Sequence, residues 1–174
     1  MSLLRFLGLT GPSQQNEERA GVESLRRISK ELDQLDPEKA RYLAAFAYLL
    51  GRVAHADMKV TPEETDAMEK IVMKKGDLPH EQAALVVEIA KRQNQLFGHV
   101  ENFLVTREFR RIASRQQKLL LLDCLFAVSA SDKLISTLED REIRQIASEL
   151  KLEHSDFIAV RSRYRDHLAV LKRK

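Results

Sequence analysis

The chain has 174 residues, 44 % of them hydrophobic. That is enough to bury one sizeable core and excludes an unfolded polymer. Its 29 lysines and arginines against 26 acids leave a net charge of only +3, too slight and too spread out to imply strong nucleic-acid affinity. No run reaches the ~18 apolar residues of a membrane span, and the start lacks the architecture of a signal peptide.

Met1 to Leu9 carries SLLRFLGL, and TGPSQQN follows with linker chemistry, so residues 1–16 read as an appendage and residues 17–174 as the folded domain. Leu3, Leu4, Phe6 and Leu7 could form two amphipathic turns that graze a membrane surface weakly or dock on a partner helix. A terminus that frays or packs on its own bundle is the plainer reading.

From Glu17 onward apolar residues recur at helical spacing: Ile28 and Leu32, then Leu43, Phe46, Leu50 and Ala54, then Met68, Ile71 and Val72. Asp36-Pro37-Glu38 supplies a cap with proline at the first helical position. Helices are predicted at about 17–35, 37–56, 62–75, 80–97, 100–113, 116–131, 137–150 and 154–171. The class is all-α: a single-domain helical bundle of seven to eight helices with short, antiparallel connections.

Cys124, the only cysteine, sits inside LLLLDCLFAV. It can form no internal disulfide and reads as a buried small hydrophobe of a reducing compartment, which fits a cytoplasmic location.

The second half repeats the first at an offset of 75 positions. Leu50 matches Leu125, Val53 matches Val128, Asp57 matches Asp132, Val60 matches Ile135, Thr61 matches Ser136 and Glu64 matches Glu139. Two helix-turn-helix units follow, each too small to bury its own apolar face, so they are expected to share one core.

Thr61-x-x-Glu64 and Ser136-x-x-Glu139 both spell a capping box, in which hydroxyl and carboxylate satisfy the first free N–H groups of a helix. Asp57 and Asp132 close the preceding helices, where a negative charge meets the negative end of the helix dipole at a cost of about 0.3–1 kcal/mol. An Asx turn would offset that cost. So would a divalent cation held by Asp57, Glu64, Asp132 and Glu139, with Glu63 and Asp140 nearby. The spacing is not that of an EF-hand loop. Ca²⁺, Mg²⁺ and Zn²⁺ are the candidate ions. His55, the only histidine near these carboxylates, is not read as a ligand.

These motifs carry a resemblance. A-D-x-x-V-T-x-E-E, then D-x-x-I-S-x-x-E, then ELKLEHSDFIAVRSRYRDHL resembles the TerB-like family of tellurite-resistance proteins over about residues 37–171. REFRRIASRQQKLLLLDCLFAVSASD is similar to the domain that precedes the J domain in membrane-anchored DnaJ-like co-chaperones, but the His-Pro-Asp tripeptide of a J domain is missing here.

The family implies a compact helical bundle, cytoplasmic or peripheral at the inner membrane face, with divalent cations bound by acidic positions. Its hallmark is Ala-Asp-Gly in each turn. Here Met58 and Lys133 stand at the glycine positions and Ser131 at the second alanine. Glycine would enter a positive φ freely, whereas Met or Lys must strain or turn differently.

Arg161, Arg165, Lys172 and Arg173 cluster near the chain's end, where cations favour a helix C-terminus; with no interleaved aromatics they do not point to nucleic acid. No nucleophile, base and oxyanion set is recognisable. The sequence therefore points to a non-catalytic binding or adaptor module with a protein partner, linked to a stress response such as tellurite resistance. A metal-dependent enzyme using the clustered carboxylates and a purely structural scaffold are the alternatives.

Overall fold

The computed structural model describes residues 17–54, 61–92 and 102–172. Among these lie eight helices: α1 (Glu17–Asp33), α2 (Pro37–Ala54), α3 (Pro62–Gly76), α4 (His80–Lys91), α5 (Asn102–Ile112), α6 (Arg115–Ala130), α7 (Thr137–Glu149) and α8 (His154–Ser162). Two short 3₁₀ turns, Arg165–His167 and Ala169–Leu171, follow. The all-α class is as the periodicity predicts.

The bundle is built around α2. Its start is set by Asp36, whose carboxylate accepts the N–H groups of Glu38 and Lys39 at 3.1 and 3.3 Å, with Pro37 at the first helical position. Leu43, Phe46 and Leu50 are fully buried, and every residue from Tyr42 to Gly51 is buried too. A helix that is apolar all round is enclosed on all sides, and α2 packs against α1, α4, α5, α6 and α7. Ala44, Ala45 and Ala47 leave room for those neighbours. Tyr42, Phe46 and Phe109 add an aromatic cluster with ring centroids 5.4 to 6.4 Å apart.

The two units, α2-α3-α4 and α6-α7-α8, interlock. Within each, the third helix packs on the first; across them, α3 lies on α6 while α7 lies on α2. Each unit thereby covers the other's first helix, and the buried side chains of both merge into one core. The exits of α3 and α7 also match. Asp77 and Lys151 take left-handed conformations (φ 53° and 58°), and the next N–H reaches back five residues, from Leu78 to Met73 and from Leu152 to Ala147.

One predicted element differs among the described residues; the helix ends expected at 55–56, 93–97 and 100–101 lie outside them. The helix expected over 154–171 stops at Ser162, and the chain doubles back across the α6–α7 turn. The Ile135 N–H donates to the His167 carbonyl at 2.6 Å and the Ala169 N–H to the Ile135 carbonyl at 3.0 Å, an isolated parallel bridge. The reason is packing: Leu168, at 1 % exposure, fills the core beside Ile135, a burial worth about 1.5–3 kcal/mol. Tyr164 stacks on Phe126 at 5.6 Å.

Candidate functional site at the two aspartate turns

Both glutamates of the expected cation site act as caps. At the start of α3 the Thr61 hydroxyl accepts the Glu64 N–H at 3.2 Å, while the Thr61 N–H donates to the Glu64 carboxylate at 2.6 Å. At the start of α7, Ser136 and Glu139 repeat this at 3.2 and 2.8 Å. The two capping boxes are thus formed reciprocally, one in each unit.

Asp57 lies outside the described residues, as do His55, Met58 and the segment 1–16, so the turn chemistry expected of Asp57 lies outside them too. Asp132 is exposed at the C-terminal end of α6. Exposure to water weakens its conflict with the helix dipole. The next residue, Lys133, has φ 72°, so lysine adopts the left-handed backbone that glycine would enter without strain.

Asp140, which the sequence places near the cation site, is instead buried and gripped by the Arg161 guanidinium through two hydrogen bonds of 2.8 Å. Arg161 stands in the last turn of α8, as expected of a cation near a helix end, but it also bridges to α7, and that pairing raises its pKa. Among the described residues no group of three or more His, Cys, Asp or Glu side chains is placed to hold a metal ion.

The structure reveals charges that the sequence reading did not single out. Arg52, its side chain 7 % exposed, lies within the apolar run LLGRVA and reaches Glu142 and Glu149 on α7 and Thr106 on α5. Burial works against both ionised partners. The hydrogen bonds to Glu149 and the charges of Glu142 and Glu149 nevertheless hold the Arg52 pKa up. For Glu149, burial raises the pKa, but hydrogen bonds from Arg52, Thr106 and Gln145 outweigh it and bring the carboxyl below its usual range.

Asp123 on α6 accepts the Tyr164 hydroxyl at 2.6 Å and lies 3.4 Å from Lys75 on α3. The only sequence signal for these sites is a charged residue interrupting an apolar helix. Cys124 is fully buried as expected, and burial pushes its thiol far up.

A duplicated, reciprocally packed all-α bundle, with a capping box at the start of the second helix of each unit, defines the class of protein. A family model described as Tellurite resistance protein TerB matches residues 42–162, well over half of the chain and spanning both turns. The chain belongs to the TerB family. No curated protein and no solved structure matches it. Among the described residues, no helix is long and apolar enough to cross a membrane.

Proposed function

We propose that this chain is a non-catalytic binding module of tellurite resistance that works through contacts with a protein partner and through a divalent cation at Asp57 and Asp132. Family membership supports the link to tellurite. The observation that carries the binding reading is how the carboxylates of the second unit are used. Glu139 is on a cap, Asp140 is on Arg161, and Glu142 and Glu149 are on Arg52. Asp123 is on Tyr164 and Lys75.

Carboxylates so engaged serve the fold rather than proton transfer, and the buried, poorly ionised Cys124 is no nucleophile. The exposed Asp132 carboxylate remains available to a ligand, and Ca²⁺, Mg²⁺ and Zn²⁺ are the ions to try.

Expression in a tellurite-sensitive bacterial host tests the reading. Wild type should raise the tellurite concentration the cells survive, and the Asp57→Asn, Asp132→Asn double variant should raise it less. A wild type that confers no tolerance at matched expression would overturn the proposal.

A further inference from the structure

We propose that residues 164–171 form a latch whose closure is coupled to the conformation of the second aspartate turn, so that the turn and the latch open and close as one unit. The family match ends at Ser162, where α8 ends, so the latch lies beyond it.

Three contacts tie this segment to the turn, and all fall within three residues of it. The His167 imidazole Nδ1–H donates to the Lys133 carbonyl at 3.2 Å. The main chain of His167 and Ala169 takes both the N–H and the C=O of Ile135, at 2.6 and 3.0 Å. Side chains seal the junction: Ile135 and Leu168 are 0 % and 1 % exposed, and Tyr164 anchors the near end on the Asp123 carboxylate at 2.6 Å.

The turn itself is strained. Lys133 is held at φ 72°, a conformation that a residue with a side chain keeps only where its surroundings enforce it. The latch grips the carbonyl of that residue, so a closed latch enforces the strained backbone and a relaxed turn withdraws the partners that hold the latch. The remainder of the latch is poorly held, with Arg165, Asp166, Val170 and Leu171 exposed. Such a segment opens without the whole bundle unfolding.

Opening withdraws Leu168 from the core and uncovers Ile135 next to the already exposed Leu134 and Leu138. A ligand or partner that favours one turn conformation is thereby reported on a new apolar surface.

Amide hydrogen exchange on the full chain tests the coupling. Leu168→Ala should speed exchange at the Ile135 and Ala169 amides by about thirty-fold or more and leave the deep amide of Leu49 unchanged. Lys133→Gly, which changes only the turn, should slow exchange at the Ala169 amide of the latch by about five-fold or more, matching its effect at Ile135 and exceeding any effect at Leu49. The glycine variant carries the test if Leu168→Ala does not fold. Slowing at Ile135 without slowing at Ala169 would overturn the proposal. So would Ala169 slowing only as much as Leu49, since the latch would then have no opening of its own.

Discussion

The Arg52 guanidinium on α2 donates two hydrogen bonds to the Glu149 carboxylate on α7, at 2.9 and 3.2 Å, joining the first unit to the second. The reciprocal contact, α3 on α6, carries the pair Lys75–Asp123 with the sign reversed. Removing one member of a buried pair strands the other, so Arg52→Leu should destabilise the fold by about 3 kcal/mol. In a thermal melt that is a drop of about 8 °C for a chain of this size. The double replacement Arg52→Leu, Glu149→Leu should lose less than the single one, which urea titrations of the three proteins would show.

The same pair predicts a pH dependence. Glu149 titrates lower in the fold than its ordinary value of 4.5. Its stabilisation is therefore complete above about pH 4.5 and is lost as pH falls through the lower folded value. The wild-type contribution of this carboxyl should be flat from pH 7 to 5, and the stability gap to Arg52→Leu, in which burial acts on Glu149 without the guanidinium, should shrink on acidification. Denaturation midpoints at each pH would reveal it.

Equivalent caps should have equivalent effects. Thr61→Ala and Ser136→Ala each remove a side-chain acceptor from a helix start and should each cost about 1 kcal/mol. The sites lie in different units, so the double variant should lose about the sum, as equilibrium unfolding would measure.

Cys124 provides a test of core integrity. Buried completely, with its thiol pushed far up, it should not react with an aromatic disulfide reagent at pH 8 in the native protein. In denaturant one thiol per chain should react at once. Rapid labelling without denaturant would mean that α6 is open to solvent.

What could be read in advance follows the reach of each signal. The capping boxes at Thr61 and Ser136 were legible because hydroxyl and carboxylate stand three residues apart and no distant partner is needed. The helices were legible from their period, yet the same period misled at the C-terminus. Phe157, Val160, Tyr164 and Leu168 keep helical spacing although the helix ends at Ser162, because Leu168 buries against Ile135 rather than along the α8 face. Arg52 and Glu149 are 97 residues apart, and neither bears a local mark of the other. Asp140 looked like part of an acidic cluster until Arg161, 21 residues on, claimed both its oxygens.

Glu64 and Glu139 cap helices, and the proposed function assigns a ligand to Asp57 and Asp132. Titrating Ca²⁺, Mg²⁺ and Zn²⁺ into isotope-labelled protein, with wild type and the Asp57→Asn, Asp132→Asn variant recorded side by side, tests that assignment most directly. Saturable amide shifts are expected at Asp57 and at Lys133 that disappear in the variant while the folded spectrum persists. Spectra that stay silent to all three ions would contradict it and leave the turns as capping devices alone.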